Sequence, residues 1–227
     1  YRGLAYIVFE DMPLDDFGDV LPQMSFEIVR GPASDAPRFE NLARGVCLIP
    51  GTGEFAYAAQ PVRRVVAAGA ETAENAHLDP ARANLPASLD QLQADMPGVG
   101  LVSLVSAWFG DDLRCGSCAI RPGVEIAEKE TRPLVWRAGG VTRAGAHVVS
   151  TIDGAPAFGG TPCDASIVQA IGELRTRGMR VALNPFLLMD IPAGNSLPAP
   201  DGAPSQPVYP WRGRIACLAA SDKTAAA

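Results

Sequence analysis

The stretch Val99–Phe109, VGLVSLVSAWF, followed at once by Asp111 and Asp112, decides the fold class. Its only polar side chains are serines, so an extended strand here is apolar on both faces. That is the mark of a strand covered on two sides, as parallel strands are. Arg180–Met189, RVALNPFLLM, closed by Asp190, has the same form. Between them, Thr161-Pro-Cys-Asp164 introduces a helix over Ala165–Arg177, with Ile167, Ala170, Ile171 and Leu174 at helical spacing. Asp164 is its expected cap and Gly178 its C-terminal stop. Strand, helix, strand predicts that 99–109 and 180–189 are parallel neighbours joined by a right-handed crossover. Ala146–Ile152, AHVVSTI, reads as a further strand, either in the same sheet or in an excursion before the helix, and Asp153-Gly154 after it is a turn dipeptide.

Upstream, the signals are more irregular. Val46–Ile49 reads as a short strand, and Phe55–Ala59 and Val62–Val66 read as strands around Pro61. Glu71–Pro86 is polar and reads as an exposed loop. Ser88 and Gln91 form a capping box that opens a helix, with Leu89, Leu92 and Met96 as its apolar stripe and Pro97-Gly98 as its end. Leu4–Glu10 and Met24–Arg30 read as an antiparallel pair separated by a long loop, unstable alone and therefore added to a larger β structure. At the other end, Asp222-Lys-Thr-Ala-Ala-Ala227 reads as a helix cut after one turn, which suggests a piece of a longer polypeptide; a frayed alanine tail is the other reading.

Composition narrows the classes. Of 227 residues, 48% are hydrophobic and 19% charged, enough apolar material for a core. Nineteen Lys and Arg against 25 Asp and Glu give a formal net charge of −6 with no basic cluster, which speaks against a nucleic-acid partner. The 23 glycines and 20 prolines predict many turns and long ordered loops rather than a helical bundle. The near-apolar run Leu101–Phe109 is nine residues long, against about 20 for a membrane-spanning helix, so no membrane span is expected. Five cysteines at uneven spacing give no disulfide framework. Cys115-Gly-Ser-Cys118 is a lone CxxC without histidines at ligand spacing, so no metal and no cofactor is expected; it stiffens a loop, as two thiols or as a bridge.

Both apolar strands deliver acids at their C-terminal ends, where parallel barrels gather their active sites. Asp112 and Asp190 are therefore the candidate catalytic carboxylates and Asp111 a candidate substrate contact. The competing reading makes Asp111 and Asp112 turn fasteners paired with Arg114 or Arg121, and ties Asp190 to the turn Ala193-Gly194-Asn195. Long loops follow both strands, at 110–142 and 191–213. The second holds Tyr209, Trp211 and Arg212, an aromatic and basic set able to stack on sugar rings or pack on a neighbouring domain.

Several motifs together resemble a known family. Tyr1–Asp11, YRGLAYIVFED, with Phe17-Gly18 and Pro22–Ile28, PQMSFEI, is similar to a segment of phage tail tip and hub proteins. Trp108–Cys115, WFGDDLRC, Gly159–Pro162, GGTP, with Asp164–Ser166, and Pro185–Asn195, PFLLMDIPAGN, resemble the large megatron, or host-specificity, baseplate proteins of gene transfer agents. The resemblance implies a glycoside-hydrolase-like TIM barrel inserted in a tail-hub framework. Residues 1–44 would be hub framework and 45–227 the first part of the barrel domain. It further implies location in the virion tail baseplate, a homotrimer, hub and distal tail proteins as partners, and host-envelope carbohydrate as the target. Catalysis does not follow from the fold. Glycoside hydrolysis uses two carboxyl groups, about 5 Å or roughly 6.5–9.5 Å apart. The structural baseplate role and a part in an active glycan hydrolase are thus both open from the residues.

Overall fold

The computed structural model describes residues 38–50, 53–77 and 79–209, together with Met24. The chain divides into two compact units between Ala36 and Pro37, and the described residues other than Met24 belong to the second. The strands expected at Leu4–Glu10 and over the rest of Met24–Arg30, the side chains of Trp211 and Arg212, and the helix start at Asp222 lie outside the described residues.

The fold is α/β. Three strands, β1 (Gly45–Leu48), β2 (Leu101–Gly110) and β3 (Arg180–Met189), run parallel in that order in a four-stranded sheet, whose fourth strand, Ile120–Arg121, pairs antiparallel with the end of β2 at Phe109 and Gly110. Leu101 pairs with Gly45 on one side and Arg180 on the other, and the β2–β3 register runs unbroken to Met189 opposite Gly110. Helix α1 (Asn84–Asp95) lies between β1 and β2 in the chain, and α2 (Asp164–Thr176) between β2 and β3. The parallel neighbours read from the two apolar runs are therefore present, joined through the expected helix. Among the described residues the strands do not close into a barrel; β1 and β3 flank β2 as the outer parallel strands of an open sheet.

The apolar run of β2 is explained by what covers it. On one face, Val102 and Leu104 are buried with Leu85 and Leu89 of α1, Ala170 and Leu174 of α2, Tyr57 and Met179. On the other, Phe109 packs with Leu188 of β3 and with Val149, and Ala107, Phe158 and Phe186 close round them. Each fully buried side chain of this kind contributes about 1.5–3 kcal/mol. Tyr57 ties the sheet to the turn after β1. Its hydroxyl lies 2.8 Å from both the Leu48 and the Val105 carbonyls, and burial raises its pKa.

Local expectations are corrected at several points. Helix α1 begins at Asn84, not beyond Ser88, and Ala83 is its N-cap without a side-chain cap bond. Pro86 falls in the first turn, where a missing N–H costs nothing, and the earlier start buries Leu85 beside Leu89. Asp164 is not the cap of α2: Cys163 is, and the Asp164 carboxylate instead accepts the Gly139 N–H at 3.0 Å. Gly178 does end the helix, at φ +77, with the Met179 N–H on the Leu174 carbonyl. Phe55–Ala59 is a buried turn rather than a strand, because the Tyr57 side chain is drawn inward to the sheet. Within the expected loop Glu71–Pro86, strand Ala70–Ala73 pairs antiparallel with Arg63–Ala67.

The segment between β2 and α2 is an excursion. Ala146–Ile152 is split: His147–Val148 pairs with Gly123–Val124, and Thr151–Ile152 turns back on Ala155–Pro156. Asp153 and Gly154, at φ 52 and 80, make that turn. The excursion lies over the Phe109 face and is the second cover of β2.

This placement separates two register partners. Leu104 is fully buried, whereas Leu183 opposite it on β3 is 55% exposed. Leu104→Ala is expected to cost about 2–5 kcal/mol, and Leu183→Ala within about 0.5 kcal/mol of zero, read from urea unfolding followed by circular dichroism. A larger loss at Leu183 would contradict the sheet order.

Candidate functional site

Each strand of the parallel sheet is followed by a buried carboxylate: Glu54 after β1, Asp112 after β2 and Asp190 after β3. The three are held by different partners, and the geometry assigns them different chemistry.

Asp111 and Asp112 fasten the turn that follows β2. Arg114 binds Asp112 as a fork, with Nε 3.0 Å from Oδ1 and Nη2 2.6 Å from Oδ2, and its backbone N–H donates to Oδ1 at 2.8 Å. Gln206, buried itself, donates to Oδ1 at 2.7 Å and accepts the Leu113 N–H. Burial alone would raise the Asp112 pKa; the bonds from Arg114 and Gln206 outweigh it and bring it to about 2. Asp111 accepts the Ala119 N–H at 2.7 Å and pairs with Arg121 at 3.1 Å. Both ion pairs suggested by the sequence are thus present.

Asp190 is differently placed. The pleat puts it above Phe186 and Leu188 on the excursion side of β3. It does not bond the Ala193-Gly194-Asn195 turn; that expectation is corrected, because the excursion delivers better donors. His147 Nε2 lies 2.6 Å from Oδ2, and the Ser150 N–H donates to the same oxygen at 2.9 Å. Oδ1 is buried without a hydrogen-bond partner. Burial pushes the Asp190 pKa up, and the His147 and Ser150 bonds more than reverse this, so the group is held as a carboxylate. A carboxylate only accepts, so the contact has His147 donating to Asp190 through Nε2–H. The imidazole side chain is 23% exposed, beside the Phe109 ring at 5.9 Å.

Tyr209 joins this second group. Its backbone is left-handed at φ +43, its N–H donates to the Ile191 carbonyl, and its hydroxyl lies 3.4 Å from the Thr151 carbonyl. The structure therefore gathers Asp190, His147 and Tyr209 round the segment His147–Thr151, and keeps Asp111 and Asp112 in a separate turn. Nearby, on the same face of the sheet, an apolar hollow of about 240 Å³ is lined by Val105, Ala107, Phe158, Phe186 and Leu188. Among the described residues no group of three or more His, Cys, Asp or Glu side chains could hold a metal ion.

The carboxylate after β1 was not singled out by the sequence. Glu54 accepts from Arg143 Nη2 at 2.6 Å and from the Glu125 N–H at 2.8 Å, and lies 3.0 Å from Lys129 Nζ. Lys129, 2% exposed, also reaches Glu74 at 3.0 Å and Glu125 at 3.2 Å. Arg143 sits over the Trp136 ring. Burial would raise the Glu54 pKa and lower that of Lys129; the opposite charges override both, so Glu54 is lowered and Lys129 raised. With its oxygens filled, Glu54 is a clamp and not a free acid. The only local signal was the Glu125/Lys129 spacing of four; the other members come from separate loops.

No protein-family model matches the chain, and no curated protein matches it.

Two outcomes follow. Lys129→Met leaves three carboxylates around an uncharged side chain and is expected to cost about 3–5 kcal/mol, measured by chemical denaturation. Asp112 titrates lower folded than unfolded, so its contribution is whole above about pH 4 and is lost as pH falls toward 2. In Asp112→Asn, the acid-unfolding curve is expected to lose that part of its slope between pH 4 and 2.

Proposed function

We propose that this chain is a structural part of the tail baseplate of a phage-like particle of the gene transfer agent kind, facing the host envelope. The family motifs supply the particle and the location. Singly wound parallel strands with both helices packed on one face support the finer reading of a TIM-barrel-like domain, of which β1, β2 and β3 would be successive strands. On the same reading, residues 1–44 belong to a tail-hub framework, the assembly is a homotrimer, and hub and distal tail proteins are its neighbours.

The observation that carries the structural role over a hydrolytic one is the occupation of the strand-end acids. Asp111, Asp112 and Glu54 spend their oxygens on backbone amides, arginines, Lys129 and Gln206. A glycosidase keeps two carboxyl groups facing an open cleft. One observation favours the second reading, a part in glycan hydrolysis of the cell envelope: Asp190 retains an unpartnered Oδ1 beside a half-buried histidine.

Immunogold labelling with an antibody to this chain is expected to mark the tail tip of assembled particles. Label on cells or heads alone would overturn the baseplate reading. In the same particles, Asp190→Asn is expected to leave the release of reducing ends from host-envelope polysaccharide at the wild-type level. Loss of that release with tails intact would establish the hydrolase instead.

A further inference from the structure

The turn fastened by Asp111 and Asp112 carries Cys115-Gly-Ser-Cys118, and both cysteines are thiols in this structure. Cys115–Ser117 form a single 3-10 turn, closed by the Cys118 N–H on the Cys115 carbonyl at 3.4 Å. In this geometry residues three apart eclipse, and a rise of about 2.0 Å per residue sets their Cα atoms roughly 6 Å apart. A disulfide spans Cα separations of roughly 4.4–6.8 Å. A turn of this geometry sets the two side chains on one face, with Cα atoms at a separation that a disulfide spans.

Its two ends are anchored by consecutive acids. On the N-terminal side Asp112 accepts the Arg114 N–H at 2.8 Å; on the C-terminal side Asp111 accepts the Ala119 N–H at 2.7 Å. Opening the turn would break two charge-assisted hydrogen bonds, so these anchors oppose separation of the two cysteines. Space for the Cys118 side chain is kept by Gly110. A Cβ there would stand 2.9 Å from the Cys118 sulfur and 2.8 Å from that of Met189. Both cysteines are partly exposed, so a small disulfide can reach them.

We propose that Cys115 and Cys118 are a redox-active pair that closes to an intramolecular disulfide, with a low-molecular-weight disulfide such as glutathione disulfide as oxidant. One thiolate attacks a glutathione sulfur, forms a mixed disulfide and expels a glutathione thiolate. The second thiolate attacks the protein sulfur of that mixed disulfide, closes the ring and expels the other glutathione thiolate. The protein loses two electrons, one glutathione disulfide is reduced to two thiols, and the two cysteine protons end on them. The loop closed is short, so the bridge removes little chain entropy and acts as a reversible staple on the end of β2. This holds whether or not the chain sits in a phage tail.

Trypsin cuts after Arg114 and Lys129, so the peptide Cys115–Lys129 contains both cysteines and no other. The whole 227-residue chain, treated with glutathione disulfide, alkylated and digested, is read by mass spectrometry. The expected result is this peptide lighter by two hydrogens, in about tenfold excess over its glutathione adduct, and fully reduced again by dithiothreitol. Cys118→Ser is expected to trap the glutathione adduct on Cys115. A persistent adduct in the wild type, an unreacted peptide, or a crosslink to Cys47, Cys163 or Cys217 would overturn the proposal.

Discussion

A strand that is apolar on both faces has to be covered twice, and β2 imposes that requirement on everything around it. Helices α1 and α2 cover Val102 and Leu104 with regular packing. They cannot reach the other face, where Ala107 and Phe109 point. That cover comes from the excursion between β2 and α2, which brings Val149 and Phe158 down on the sheet. The length of the connection and its richness in glycine follow from this task. Gly53 and Gly160 show the cost in space: a Cβ on Gly53 would fall 1.5 Å from the Gly160 carbonyl oxygen.

A cover made of two-residue strands and turns has few ladder bonds of its own, and charged side chains take over the fastening. Lys129 and Arg143 draw Glu54, Glu74 and Glu125 together from separate segments. Desolvating five charges is expensive, and apolar replacements of the same shape can be as stable. The arrangement gains a defined geometry. The Arg143 fork fits one carboxylate in one orientation, and the three donors of Lys129 meet three acids, so alternative packings of these loops leave a buried charge unmatched.

The parts of the fold that were legible are those where periodicity or turn chemistry acts locally. The β2 and β3 runs, the stripe of α2, Gly178 at positive φ and the Asp153-Gly154 turn each carry their cause within a few residues. The start of α1 at Asn84 has no such local cause: the Ser88/Gln91 pair imitates a capping box, while the deciding factor, burial of Leu85, is tertiary. The split of Ala146–Ile152 had no local sign, because its halves answer to Gly123–Val124 and Ala155–Pro156. The site was legible to the same degree. Acids at the strand ends were visible as residue types, but His147, Ser150 and Gln206 meet them only through the folded excursion and the 191–209 loop.

That difference bears on how strand-end acids are to be interpreted. At the end of a parallel strand the next turn presents unpaired backbone N–H groups, and an aspartate is the shortest side chain that can accept them. Asp111 and Asp112 do this for Ala119 and Arg114, so their position is accounted for by the needs of the turn alone. Asp190 is not fully accounted for in this way. Ser150 and His147 share one of its oxygens and leave the other buried and bare. A carboxylate fixed in that state retains capacity to accept one more hydrogen bond, and it holds a partly exposed imidazole by its Nε2 at the same time. Among the strand-end acids, Asp190 alone combines unsatisfied capacity with an imidazole partner, which makes chemistry at this end of the sheet a question about Asp190 and His147 and not about the Asp111–Asp112 pair.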